Sequence, residues 1–256
     1  MKWYLLVIQP AVAFLQKMVS VLEPAPASPA YLLSLRNHKA FLVCLLPLIA
    51  GRVQAQQPVA VAEDSAYIKA IQERAGKIVA TLDIKDPAKF SQVQTLVAQQ
   101  YRSLNQIHES SKLIISDIKK STTLNKETIA ETIKKEEQQL SNKLTLQHTA
   151  YITQLKQVLT EEQVEKVKDG MTYRVLPITY AAYQDMIPRL TDEQKKQIYA
   201  WLTEAREFAM DAESSDKKHW WFGKYKGRIN NYLAAAGYDL KKEGQDWEDR
   251  KKQKTR

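Results

Sequence analysis

Cysteine is all but missing: Cys44 is the only one in 256 residues. Without partners for it, neither a disulfide framework nor a thiolate-bound metal can be built. Glycine (7) and proline (9) are also scarce, and beyond residue 60 only Pro87, Pro177 and Pro188 remain. So little punctuation predicts long helices joined by short turns and no significant sheet. Histidine is rare as well (4), and beyond residue 55 only His108, His148 and His219 occur, without an H-x-x-x-H pair. No metal site and no cofactor are expected. No apolar run approaches the roughly 20 residues of a transmembrane helix, so the mature chain should not span a membrane.

What is present begins with a leader pattern. Arg36–Lys39 is basic, Ala40–Ala50 is an uncharged apolar run, and Val53 and Ala55 offer the small residues of a cleavage site. This is the layout of a secretory signal cut after Ala55, giving a periplasmic or secreted protein. Cys44 lies mid-run after Val43, which argues against lipidation. Residues 1–35 upstream of that signal suggest an over-called start, so 1–55 is read as discarded leader and 56–64 as a linker. The leader holds five basic residues and one acidic one, so net charge falls from +9 to +5 on its removal. Spread over the mature chain, that is no signature of nucleic-acid binding.

From Ser65 to Arg250 the spacing predicts an all-α bundle of about six to seven helices in one domain, followed by a basic tail at 251–256. Apolar residues at helical intervals mark a first helix to about Leu82. Asp86-Pro87 then supplies an acidic cap and a first-turn proline. Phe90 to Leu104 stripe a second helix, with a break expected near Ser110 and a short helix at Leu113–Ile115. The element from Leu124 to Leu159 is the longest, and its Lys134–Gln139 run reads as a solvated face. Tyr173, Tyr180 and Tyr183 fall on a stretch read as irregular or kinked. A clean apolar face (Ile198, Trp201, Leu202, Ala205, Phe208, Ala209, Ala212) marks a helix opened by Thr191. The next runs from Ser214-Ser215 to a left-handed stop at Gly237; the tail from Lys241 is charged, with Trp247 as its one large anchor, and its end, Arg250–Arg256, is expected to fray.

Leu159-Thr160-Glu161-Glu162-Gln163 and Leu190-Thr191-Asp192-Glu193-Gln194 share L-T-[acid]-E-Q. Each reads as a capping box behind a hydrophobic staple. The pair also resembles the paired motif of a family of small periplasmic helical chaperones. That resemblance implies a dimer with an exposed apolar concave face.

The densest polar chemistry lies between Ala205 and Tyr232. Lys217, Trp221, Lys224, Arg228 and Asn231 share one ridge of the last long helix. Cations, an indole and an amide on one strip suit an anionic or sugar-like ligand, since Arg clamps carboxylates and Trp stacks on rings. Arg206, Glu207, Asp211, His219 and Tyr225 join the candidate ligand-binding set. The competing reading is a ladder of interhelical ion pairs, Glu204 to Arg228, Glu207 to Lys224 and Asp211 to the Lys217–Lys218 turn. Gly223 and Gly227, costly inside a helix, point to close approach by a neighbouring helix or a ligand.

The runs VKDGMTY…LPITYAAYQDMIP, LTDEQKKQI and EAREFAMDAESSDKKHWWFGKYKGRINNYLAAAGYDL closely resemble a family catalogued as domain of unknown function 3826, over roughly Tyr67 to Arg250. The resemblance implies an exported protein of outer-membrane-bearing bacteria, often encoded near genes for polysaccharide breakdown; it brings no catalytic residues. An exported accessory protein binding an oligo- or polysaccharide is the leading expectation. The alternatives are a small glycan-active lyase, with His219 or Tyr225 as base, or a hydrolase using Glu207 and Asp211.

Overall fold

The computed structural model describes residues 65–254. The leader, its cleavage site and Cys44 lie outside the described residues. Eight α-helices account for the described chain: α1 (Ser65–Val79), α2 (Pro87–Lys120), α3 (Lys126–Val158), α4 (Glu161–Met171), α5 (Val175–Met186), α6 (Asp192–Met210), α7 (Ser215–Ala235) and α8 (Leu240–Lys254). A short 3-10 turn, Ala80–Leu82, closes α1. No strand occurs among the described residues.

The helix ends are built as their sequences require. The Asp86 carboxylate accepts from Ala88 N (2.9 Å), with Pro87 at the first helical position. Thr160 and Thr191 each accept from the glutamine amide three residues on (3.3 and 3.2 Å), and each glutamine side chain returns to the threonine N–H (3.2 and 3.0 Å). Both L-T-[acid]-E-Q segments are therefore complete capping boxes. Their glutamines also reach outward, Gln163 to the Leu82 carbonyl and Gln194 to the Tyr238 hydroxyl. Ser214 caps α7, and Gly237 (φ +90°) stops it in the left-handed conformation.

Three expectations change. Helix α2 runs unbroken through Ser110-Ser111, because packing along α3, with Ser111 buried, outweighs the weak helix propensity of serine. The tyrosine stretch is a regular helix, α5, after a turn in which Tyr173 and Arg174 both take positive φ (57° and 56°). The tail is helix α8, which continues through Arg250 to Lys254, where the charged end is expected to fray. Trp247 donates to Asp185 (2.5 Å), and Arg250 donates to the Asp185 and Met186 carbonyls (2.9 and 3.0 Å). A cation thus meets the orphan carbonyls at the end of α5.

Two hydrophobic cores form. Helices α1 to α4 build the first around Val79, Val93, Val97, Tyr151, Leu155, Val167 and Met171, joined by Met210 from the end of α6. Helices α5 to α7 build the second around Ile187, Ile198, Leu202, Ala205, Phe222, Ile229 and Leu233. The α2–α3 hairpin outruns the first core: no buried hydrophobic residue lies between Leu104 and Tyr151.

Candidate functional site

Between the two cores runs a seam of charge. Its centre is Arg206, a side chain only 2% exposed. Its guanidinium donates to Asp169 (2.6 Å) and to Glu165, two carboxylates one turn apart on α4. This fork recognises both at once, a geometry that lysine cannot reproduce. Lys168, on the same helix, bridges Glu165 and Glu207 (3.2 Å each).

His148 of α3 continues the seam. Its Nδ1 lies 2.9 Å from Asp211 and its Nε2 3.3 Å from Glu207. The hydrogen bond to Asp211, then that to Glu207, raise the imidazole to about 9, so it is an imidazolium at neutral pH. Burial alone would raise the Glu207 carboxyl, but the bond from His148 and the nearby Lys168 charge outweigh it and bring it to about 2. His108 of α2 adds a bond to the Asp211 carbonyl (2.7 Å), with Glu213 at 3.5 Å. Buried Lys218 donates to the Ala209 and Met210 carbonyls (2.8 and 2.9 Å) at the carboxyl end of α6, and its burial lowers it to about 8.

Where the seam reaches the surface it opens into a cleft of about 540 Å³. Its floor carries His108, His148, Glu207, Asp211 and Glu213. One wall is α3, with Glu137, Leu140, Ser141, Leu144, Thr145 and Thr149. The other is aromatic: Phe208, Trp220 and Trp221. Phe208 stacks on Trp221 (centroids 4.6 Å apart), and Trp220 meets Trp221 edge-on at 5.0 Å. Trp220 remains 54% and Phe208 45% exposed, unusual for rings of this size. Lys217 and Lys224 lie over the Trp220 ring at 5.8 and 5.7 Å.

The candidates read from sequence are thus dispersed. Glu207, Asp211 and Trp221 line the cleft together with Lys217. Lys224 sits over the tryptophans, 5.1 Å from the Trp221 ring centre. Arg206 is consumed in the seam and is too buried to touch a ligand. Arg228 lies over Trp201 (4.6 Å) and pairs with Glu204 (3.7 Å), the one rung of the expected ladder that forms. Glu207 turns instead to Lys168 and His148. Tyr225 is buried and its hydroxyl held above the ordinary range by that burial, with the Glu204 bond adding to it. His219 stacks on Tyr173 at 5.4 Å and is not part of the cleft lining. Asn231 is exposed and also outside the cleft, while its neighbour Asn230 accepts from the Tyr183 hydroxyl (2.7 Å). The space around Gly223 and Gly227 is open, with no atom within 4 Å of an added Cβ, so no helix approaches there.

Sequence reasoning missed His108, His148, Phe208 and Trp220. Phe208 sat on an apolar stripe and so read as core. The Lys134–Gln139 run is also more than a solvated face: Glu136 is buried and Glu137 lines the cleft. No group of three or more metal-binding side chains is assembled among the described residues. No described helix is long and apolar enough to cross a membrane.

The sequence matches the family described as Protein of unknown function (DUF3826) over residues 68–253, and the chain belongs to that family. No curated protein matches it.

Proposed function

We propose that this member of the family is an exported accessory protein that binds a carbohydrate chain, without transforming it, in the cleft between α3 and the α6–α7 hairpin. The leader pattern of residues 36–55 supports export. The observation that carries the binding reading is the exposed aromatic wall of Phe208, Trp220 and Trp221 facing a floor of fixed polar groups. Indole faces stack on the apolar faces of pyranose rings, while carboxylates and imidazoles order the hydroxyls at their rims.

The chemistry of the floor favours binding over turnover. A general acid or base works best when its pKa lies near the operating pH. Here His148 and Glu207 are pushed apart, to about 9 and about 2, and locked to one another. Glu207 and Asp211 both hold His148 and do not flank a space in which a glycosidic bond could lie. Tyr225, buried and raised, is a poor base for a lyase.

Trp220→Ala and Phe208→Ala test the reading, because about half of each residue's surface is exposed and neither belongs to a core cluster. Each variant should weaken binding to a polysaccharide retained in affinity electrophoresis by about tenfold, equivalent to about 1.4 kcal/mol of lost stacking. Wild-type retention by no polysaccharide, or unchanged retention in both variants, refutes the proposal.

A further inference from the structure

Resting on that carbohydrate-binding reading, the structure points to the charge class of the ligand: we infer that the cleft takes an uncharged, hydroxyl-rich sugar chain and discriminates against chains of uronates. Which polar atoms at the cleft are already engaged decides this charge class.

The floor-side cations are all committed. Arg206 serves Glu165 and Asp169, Lys168 serves Glu165 and Glu207, and His148 serves Glu207 and Asp211. Lys218 is turned to the last carbonyls of α6. A ligand carboxylate reaching the floor meets no uncommitted cation there, because Lys217, the lining cation without an ion pair among the described residues, stands at the Trp220 wall, and the bidentate clamp of Arg206 faces away into the seam.

Acceptors, by contrast, are left over. Glu213 is a third exposed, with His108 at 3.5 Å and the Lys112 ammonium close enough to feel its charge. Glu137 projects from the opposite wall. A surplus of carboxylate oxygens beside an aromatic wall calls for donors, and sugar hydroxyls supply them. A uronate would bring a like charge against Glu137 and Glu213. At a separation of roughly 5 Å, in a medium between protein surface and water, that repulsion is on the order of tenfold in affinity. Lys217 and Lys224 stand over the outer tryptophan rings, so they screen the rim more than the floor.

Matched hexasaccharides differing only at C6 test this by calorimetry at low salt: gluco-, manno- and galacto-series, each neutral and as its uronate. Wherever a pair binds, the neutral member should bind about tenfold more tightly, and the gap should shrink in the Glu137→Gln/Glu213→Gln double variant. Equal affinity within the bound pair, a preference for the uronate, or a gap unmoved by the double variant overturns the inference while leaving carbohydrate binding intact. If no member of any pair binds, and none is retained on a broad glycan array, the carbohydrate reading itself falls and takes this inference with it.

Discussion

Arg206 is the least exposed charged side chain among the described residues, and it pairs with three carboxylates: Glu165, Asp169 and Glu207. Replacing it with methionine would keep the volume but leave Asp169 without its cation, while Glu165 keeps Lys168 and Glu207 keeps Lys168 and His148. Breaking a buried pair from one side costs about 3–5 kcal/mol, less here because Glu165 is half in water, so about 2–4 kcal/mol is expected in urea unfolding. Lysine should rescue little of it, since one ammonium cannot span both α4 carboxylates. His148 makes a different prediction. Its pKa rises from 6.5 unfolded to about 9 folded, so its contribution is full below pH 6.5 and is lost as pH rises through about 9. Glu207 falls from 4.5 to about 2, so its contribution is full above pH 4.5 and is lost as pH falls through about 2. Lys218 acts oppositely to His148, but only above about 8, where its folded form begins to discharge. Unfolding free energy should therefore be level from pH 4.5 to 6.5 and decline from 6.5 to 8. His148→Gln should abolish that decline in urea titrations across the range.

At the scale of the element, glycines separate positions that a sequence cannot tell apart. Gly170 of α4 faces α1 so closely that an added Cβ would lie 2.9 Å from Ile78 Cγ2, and Ile78 is itself buried. Gly223 and Gly227 occupy equally helical positions in α7 with nothing within 4 Å. Alanine should thus stabilise at each α7 position by about 0.5–1 kcal/mol, through backbone entropy. At Gly170 it should destabilise by about 1–3 kcal/mol, as overpacking does. Thermal melts of the three single variants would show opposite signs. Local chemistry made the element ends legible: Asp86-Pro87, Thr160, Thr191, Ser214 and Gly237 all do what their types dictate. Where tertiary contact governs, local reading failed. Ser110-Ser111 stays helical against its propensity, and α8 is fixed by Trp247 and Arg250 reaching α5, over sixty residues away.

At the scale of the molecule, half of the cleft was readable. The α6–α7 hairpin follows from its capping and periodicity, and Glu207, Asp211 and Trp221 follow with it. His148 and His108 come from helices about sixty and a hundred residues away, and nothing in their own spacing announces which carboxylate each will meet. Phe208 was hidden for the converse reason: an apolar stripe does not say where the partner helix stops covering it. The α2–α3 hairpin carries a further expectation. Lacking buried apolar residues from Leu104 to Tyr151, its distal turns have little beyond helical hydrogen bonds to resist opening. Amide exchange by mass spectrometry should find residues 112–135 fastest among the helices, with α6 and the Val93–Leu104 stretch slowest.

One wall of the cleft is the stretch of α3 that outruns the first core and the other flanks the second core, with the charged seam as the floor between them. A molecule seated between Glu137 and Trp220 would tie α3 to the α6–α7 hairpin, as a clasp ties two covers. Its occupancy and the cohesion of those elements would then be one linked equilibrium, in which a loosened seam weakens capture and capture raises the melting point.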